Sequence, residues 1–80
     1  MVKITSSNQF KKEIKRLDSF NRERLEKQIR KILENPEIGK PLRYRRGERA
    51  LYIRPFRIIY AFKEDNLILL KFGHRKNVYD

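Results

Sequence analysis

The sequence has no cysteine and no long apolar run, and its acidic residues are few. Without cysteine, the chain can form neither a disulfide nor a thiolate metal site. A membrane-spanning helix needs about 20 apolar residues, and the start, Met1 to Thr5, lacks the apolar core of a secretion signal. We therefore expect a soluble, cytoplasmic protein that makes no contact with a membrane.

The chain is also short. Its 80 residues are fewer than the ~100–150 of a typical domain, so we expect one domain over residues 1–80. A chain of this size buries only about 60–65% of the surface that it exposes when unfolded. The expected structure is a single small core of modest stability.

Positive charge is present in excess. Lysine and arginine number 21 against 10 acidic residues, which gives a formal net charge of +11, more than solubility requires of a small domain. Residues 40–57 hold seven cations against Glu48 alone, and most are arginine, whose planar guanidinium suits phosphates and bases. The predicted partner is a nucleic acid or an acidic protein. A membrane surface is less favoured, because these cations lie in strand-like sequence and not along an amphipathic helix.

Two amphipathic helices are predicted in the first half of the chain. Phe10, Ile14 and Leu17 recur at spacings of three and four, with polar capping residues before them. A polar break follows Leu17, and a second apolar stripe then continues until Pro36, which disfavours helix at the preceding residue. The predicted helices span roughly 7–17 and 21–35 and form a hairpin.

Strands are predicted at the start of the chain and in its second half, where β-branched and aromatic residues are dense. Gly47, Pro55 and the polar run 63–66 mark the turns between them. We therefore expect an α+β protein in which a two-helix hairpin packs on a small, mainly antiparallel four-stranded sheet, in the order β-α-α-β-β-β. The predicted strands span 2–5, 51–54, 56–62 and 67–72.

Alternation along the strands predicts which side chains face the helices. Arg57 and Lys71 are expected together on the face that the helices leave open. Two cations there are badly placed for core packing and well placed for a phosphate. The predicted inward set is Phe56, Ile58, Tyr60 and Phe62 on the middle strand and Ile68, Leu70 and Phe72 on the last, with Leu69 and Lys71 on the opposite face.

The chemically richest stretch is the C-terminal run Gly73–Tyr79 (GHRKNVY). Together with Pro41–Arg43 (PLR) and Arg57–Tyr60 (RIIY), it resembles the RelE/ParE toxin superfamily over nearly the whole chain. The resemblance implies a RelE-like fold and an endoribonuclease that cuts messenger RNA in the ribosomal A site. In that family the messenger's own 2'-hydroxyl attacks the adjacent phosphate, so no metal and no cofactor are expected. The enzyme's task is orientation, proton transfer and charge neutralisation.

The same resemblance implies roles for single residues. Arg57 would contact the scissile phosphate, Arg75 would assist it, and Tyr79 would stack on or orient the substrate base. His74 is the candidate general acid or base, because histidine titrates near neutral pH. Together with the basic patch, the resemblance predicts further substrate or phosphate contacts at Arg43, Arg45, Arg46, Arg49, Tyr52, Arg54, Lys71 and Lys76.

One departure from the family concerns the general base. The best-studied family type has two lysines on the first of the three strands, where this chain has Tyr52 and Arg54. Arginine keeps its proton at neutral pH and is a poor proton acceptor. His74, with Tyr52 as an orienting partner, is the substitute candidate.

Simpler roles stay open for these residues. Arg57 could pair with the acidic turn at 64–65, and Arg75 could be ordinary surface charge. His74 could be a plain strand-end residue, and Tyr79 could cover the edge of the core.

Two other functions are compatible with the same fold. A ParE-like toxin would inhibit DNA gyrase without catalysis, and an inactive relative would bind RNA without cutting it. The set of Arg57, His74, Arg75 and Tyr79 favours the ribonuclease, because a gyrase-binding toxin does not need it. Either toxin predicts an acidic, RelB-like antitoxin that wraps the domain, with a toxin–antitoxin heterotetramer as a plausible assembly. The ribonuclease further implies the ribosome and messenger RNA as partners.

Overall fold

The computed structural model describes residues 2–74, which form two helices and one five-stranded sheet. The strand order in the sheet is β1-β5-β4-β3-β2, in which β1 runs parallel to β5 and the other neighbouring pairs are antiparallel. The elements are β1 (Lys3–Ser6), α1 (Asn8–Ile14), α2 (Ser19–Glu34), β2 (Lys40–Pro41), β3 (Glu48–Ile53), β4 (Phe56–Lys63) and β5 (Asn66–His74).

The predicted α+β class is confirmed, but the sheet has five strands where the sequence predicted four. The additional strand, β2, has two residues, one of them proline, and such a strand leaves no alternation pattern to detect. Lys40 of β2 pairs with Ala50 of β3 at the edge of the sheet. Strand β3 begins at Glu48, three residues before its predicted start, and Glu48 pairs with Ala61 of β4.

The first helix is shorter than predicted. The Ser7 hydroxyl accepts a hydrogen bond from the backbone N–H of Phe10 at 3.0 Å and so caps the start of α1. The helix ends at Ile14 rather than at residue 17. The carbonyl of Ile14 accepts from the backbone N–H of Leu17 at 3.1 Å and from the Arg22 guanidinium at 3.0 Å, and these two bonds replace the one that a further helical turn would have made. Leu17 still packs against the core from the connecting turn.

The second helix begins two residues before its predicted start and ends one residue before its predicted end. Its cap is Asp18, whose carboxylate accepts from the backbone N–H of Asn21 at 3.1 Å. It ends at Glu34, two residues before Pro36. Within the described part of the chain, neither helix has the length and apolar character needed to cross a membrane.

Both helices pack on the same face of the sheet, and the core lies between them and the strands. Phe10 of α1 and Leu25 and Ile32 of α2 are buried in this core. The rings of Phe10 and Phe72 meet edge to face with centroids 6.2 Å apart. Each such side chain contributes roughly 1.5–3 kcal/mol on burial. The buried core residues from the sheet are Ile53, Ile58, Tyr60, Leu67, Leu69 and Phe72.

The prediction of which β5 residues face inward is partly wrong, because the strand contains a β-bulge. Ile59 pairs with Lys71 and Tyr60 with Leu69, so Leu70 is an extra residue without a partner on β4. Alternation therefore changes phase at this point. The core contains Leu67, Leu69 and Phe72, and the predicted inward positions of Ile68 and Leu70 are incorrect.

The predicted hairpin connection over the polar run 63–66 is present, and its turn is shorter than that run, because β4 ends at Lys63 and β5 begins at Asn66. Glu64 and Asp65 both have positive φ, 50° and 62°, as a hairpin turn with the right-handed strand twist requires. Arg57 lies six residues before Lys63, at the other end of β4, where it pairs with Gly73. At about 3.4 Å per residue this distance rules out an ion pair between Arg57 and the turn.

Tyr60 is fully buried, which confirms its predicted place in the core. Its hydroxyl donates to the carbonyl of Pro36 at 2.7 Å and accepts from the backbone N–H of Gly39 at 3.0 Å. Burial raises the pKa of Tyr60, while the Gly39 hydrogen bond and the positive charge of Arg49 oppose that rise. The tyrosine therefore fixes the loop that joins α2 to β2.

Gly39 leaves no room for a side chain. A Cβ there would lie 2.8 Å from the Tyr60 hydroxyl oxygen and 2.9 Å from the carbonyl oxygen of Ala50. We predict that Gly39→Ala lowers the free energy of unfolding by about 1–3 kcal/mol, the usual effect of overpacking. Urea denaturation followed by circular dichroism measures this. Gly73→Ala is the control, because its Cβ would come no closer than 3.4 Å to Glu13; equal losses in both variants would contradict the prediction.

The raised pKa of Tyr60 predicts an alkaline loss of stability. An unfolded tyrosine has a pKa of about 10, and the pKa of Tyr60 in the folded protein is higher. The resulting stabilisation is fully present below about pH 10 and is lost as the pH rises through the pKa of the folded state. The difference in unfolding free energy between wild type and Tyr60→Phe should stay constant near neutrality and shrink above about pH 10. Urea titrations at several pH values measure it, with the exposed Tyr44→Phe as control. A pH-independent difference for Tyr60→Phe would rule out the burial effect.

Candidate nucleic-acid interface

One face of the sheet carries no helix within residues 2–74, and we call it the open face. The strand register places Arg57 and Lys71 on this open face, whereas their neighbours Ile58 and Phe72 lie on the helix side and are buried in the core. Ile59, at the centre of this face, is only 2% exposed. Residues that pair across neighbouring strands form rows on the open face. One row contains Tyr52, Arg57 and Gly73, and the next contains Lys40, Ala50, Ile59 and Lys71.

Two guanidinium groups converge on one aromatic ring of the open face. The Cζ atoms of Arg57 and Arg54 lie 5.1 and 5.9 Å from the centroid of the Tyr52 ring, within cation–π range. Tyr52 is 40% exposed and Arg57 is half-buried. We call these three residues the Tyr52 cluster. Two permanent positive charges beside an accessible ring can bind a phosphate and stack a base.

A cleft of about 460 Å³ extends from Arg57 towards the β2 edge of the sheet. Its volume falls in the range of small-ligand sites. Lys40 adds a further cation to the cleft; it belongs to the predicted basic patch but was not among the predicted site residues. The cleft is lined by Ile38, Lys40, Pro41, Leu42, Ala50, Leu51, Tyr52 and Arg57.

The predicted contacts Arg43, Arg45 and Arg46 lie in one exposed turn between β2 and β3, residues 42–47, which we call the arginine loop. Backbone hydrogen bonds close it: the Leu42 N–H donates to the carbonyl of Glu48 at 2.9 Å, and the Glu48 N–H to that of Arg45 at 3.1 Å. The loop is thus a defined turn at the mouth of the cleft, which it shares through Leu42.

Arg49 lies away from this interface. It pairs with Tyr60 in the strand register and so falls on the helix side of the sheet. Its guanidinium donates to the carbonyls of Gly39 at 2.7 Å and Glu37 at 3.2 Å. The structure therefore gives Arg49 a contact with the α2–β2 loop and separates it from the Tyr52 cluster.

His74 does not share a face with Arg57. It pairs with Phe56, and this row falls on the helix side together with Ile58 and Phe72, whereas Arg57 and Gly73 form the row on the open face. Among residues 2–74, no three histidine or acidic side chains lie close enough to hold a metal ion. The remaining predicted site residues, Arg75, Lys76 and Tyr79, lie outside the described residues.

Glu13 holds the end of β5, a role that the sequence did not indicate. Its carboxylate accepts a hydrogen bond from the backbone N–H of Phe72 at 2.9 Å, across the edge that β1 leaves uncovered. The neighbouring Gly73 pairs with Arg57. A carboxylate from α1 therefore positions the strand segment beside the Tyr52 cluster.

The chain matches the family model of the ParE toxin of type II toxin–antitoxin systems, parDE, over residues 4–79. A match over almost the whole chain establishes the family. The protein belongs to the ParE toxin family, within the RelE/ParE superfamily.

Solved toxin structures share the fold. The isolated E. coli RelE toxin has a TM-score of 0.81 at 24% identity, covering 92% of this chain and 84% of that chain. A chain of the intact E. coli RelBE toxin–antitoxin complex has a TM-score of 0.82 at 24% identity, covering 92% of this chain and 96% of that chain. A chain of the RelB–RelE complex of Methanococcus jannaschii has a TM-score of 0.76 at 20% identity, covering 95% of both chains. These similarities confirm the predicted RelE-like fold. None of the curated proteins compared with the chain matches it.

The Glu13 contact predicts a measurable local stability. Glu13→Ala removes a charged acceptor from the Phe72 N–H, so the free energy of unfolding should fall by about 1–3 kcal/mol. Glu13→Gln keeps an acceptor oxygen and should lose less. Urea denaturation measures the loss, with the exposed Glu26→Ala on α2 as control. Hydrogen exchange of the Phe72 amide should accelerate in Glu13→Ala, and an unchanged rate would show that the bond is not made in solution.

Proposed function

We propose that this toxin is an endoribonuclease that cuts messenger RNA in the ribosomal A site and so inhibits translation. The observation that carries the proposal is the Tyr52 cluster, which sets Arg57 beside an exposed ring and a cleft of nucleotide size. The excess of positive charge, +11 on 80 residues, supports a polyanionic substrate.

The proposed reaction uses a nucleophile from the substrate. The messenger's 2'-oxygen forms a bond to the adjacent phosphorus while the bond from phosphorus to the 5'-oxygen breaks, leaving a 2',3'-cyclic phosphate and a 5'-hydroxyl. The proton of the 2'-hydroxyl must be accepted, and a proton must reach the 5'-oxygen. Arg57 would stabilise the negative charge that builds on the phosphate, and Tyr52 would hold a neighbouring base in the attack geometry.

Proton transfer is the step that the residues of the Tyr52 cluster serve least well. The cluster offers two arginines, a residue type that is a poor general base, and His74 lies on the other side of the sheet in the strand register. We propose that orientation and charge stabilisation supply most of the rate. Arg75 and Tyr79 remain the proposed assisting cation and base-stacking residue, whereas the register of β5 argues against the predicted proton-transfer role of His74 at Arg57.

An acidic antitoxin is the proposed partner that silences the toxin. Several of the structures with this fold are toxin–antitoxin complexes. A disordered acidic segment that folds over the open face would neutralise Arg54, Arg57 and Lys71 and fill the cleft. A heterotetramer of two toxins and two antitoxins is the proposed assembly.

A second candidate function follows from the family assignment itself. The matching family model describes ParE toxins, and a ParE-like protein would inhibit DNA gyrase without catalysis. The Tyr52 cluster favours the ribonuclease, because a gyrase-binding surface does not require an arginine over an exposed aromatic ring. An inactive relative that binds RNA is the third outcome that an experiment must separate.

Messenger cleavage in a purified translation system tests the proposal. Primer extension should show codon-phased cuts that require ribosomes and that weaken by at least about 100-fold in Arg57→Ala, the usual effect of removing an electrostatic contact to a transition state. Arg75→Ala should weaken them as well. Arg30→Ala, an exposed arginine on α2, is the matched control and should cut at the wild-type rate.

The other functions give different results in the same preparation. Absence of cuts together with inhibited gyrase supercoiling would identify a ParE-like toxin. Ribosome or RNA binding without cuts would identify an inactive relative. Cleavage that persists in Arg57→Ala would remove the Tyr52 cluster from the mechanism.

A further inference from the structure

Tyr44 is the most exposed large hydrophobic side chain of residues 2–74, at 90%. It lies in the arginine loop between Arg43 and Arg45, and the Arg43 Cζ atom is 5.8 Å from its ring centroid. Single exposed aromatics are common on protein surfaces and carry no argument alone. Here, however, the ring stands within a run of arginines, and backbone hydrogen bonds hold the loop that carries it.

The arginine loop is continuous with the Arg57 cleft. Leu42 lines that cleft and also lines a second groove formed with Arg43, Tyr44 and Arg45. A single-stranded RNA that enters the cleft beside Arg57 can therefore continue past Leu42 to the ring of Tyr44. Along this path, arginines supply charge for the phosphates and two exposed tyrosines, Tyr52 and Tyr44, supply faces for bases.

We propose that Tyr44 is a second base-stacking platform, which binds a nucleotide of the same single-stranded RNA some distance from the one at the Tyr52 cluster. The inference rests on the proposed function in that RNA occupies the Arg57 cleft. An acidic protein would also be attracted by the arginines, but a solvent-exposed ring flanked by guanidiniums fits the stacked bases and regular phosphates of a single strand better.

Binding of a non-cleavable RNA tests the inference. The probes are a 2'-O-methyl oligonucleotide of about ten nucleotides, long enough to follow the path, and a trinucleotide of the same chemistry. By fluorescence anisotropy, Tyr44→Ala should bind the longer probe at least about fivefold more weakly and the trinucleotide unchanged, and Tyr44→Phe should resemble wild type. Since the Tyr44 side chain is almost fully exposed, its truncation should not disturb folding.

The chain offers a matched control on its other side. Phe20 is 65% exposed on α2, and the Arg24 Cζ atom lies 5.8 Å from its ring, yet it lines neither groove. Phe20→Ala should leave both affinities unchanged. The sequence has no tryptophan, so Tyr44→Trp introduces a single reporter whose fluorescence should be quenched when a base stacks on it.

Two results would overturn the inference: Tyr44→Ala binding the longer RNA as tightly as Phe20→Ala does, or no quenching of Tyr44→Trp by bound RNA. The arginine loop would then serve another polyanion, such as an acidic protein. Arg57-dependent cleavage without any Tyr44 effect would reject this inference alone. Quenching of Tyr44→Trp without cleavage would reject the proposed function alone.

Discussion

Strand β5 has one residue more than the part of β4 it pairs with, and both faces of the sheet depend on that residue. The extra residue is Leu70, placed between the pairs Ile59–Lys71 and Tyr60–Leu69. Without it, strict alternation from Leu69 would send Lys71 into the core and Phe72 to the open face. The bulge thus buries Leu69 and Phe72 while Lys71 stays beside the row of Arg57. One irregularity in a single strand makes a closed core and a cationic surface compatible.

The open face can hold cations because the opposite face supplies the core. The two helices and the inward side chains of β3, β4 and β5 form the buried cluster, and none of its members is charged. Arg57 lies on the face opposite this cluster, and its contact with Tyr52 offsets part of the desolvation that its half-buried position imposes. Ile59 is buried between flanking residues of the same face, where the aliphatic stems of lysine and arginine can lie over it.

The features that could be predicted from the sequence are those that depend on residues close together in the chain. Asp18 and Pro36 bound α2 through their own backbone chemistry, and β4 alternates without interruption, so Tyr60 and Arg57 were placed correctly on opposite faces. The bulge was not predictable from alternation, because nothing in the pattern of β5 marks an extra residue. In the structure, the carbonyl of this residue, Leu70, accepts from the hydroxyl of Ser7, the residue before α1, at 2.6 Å. The position of Arg49 was predictable. It is three residues from Tyr52, so alternation along β3 already puts the two on opposite faces.

The chemistry of the open face also limits how the protein can be controlled. Among residues 2–74, the cations of this face are arginines and lysines, and His74 lies on the other side of the sheet in the strand register. Salt screens exposed charges beyond about 8–10 Å but leaves a partner in direct contact largely unaffected. Only a bound polyanion that covers the Tyr52 cluster can cancel its field, and such a partner competes for the same groups that would hold RNA. Under the proposed function, an inhibitor of this toxin would therefore have to occupy the same surface as the RNA, and its release would leave that surface accessible.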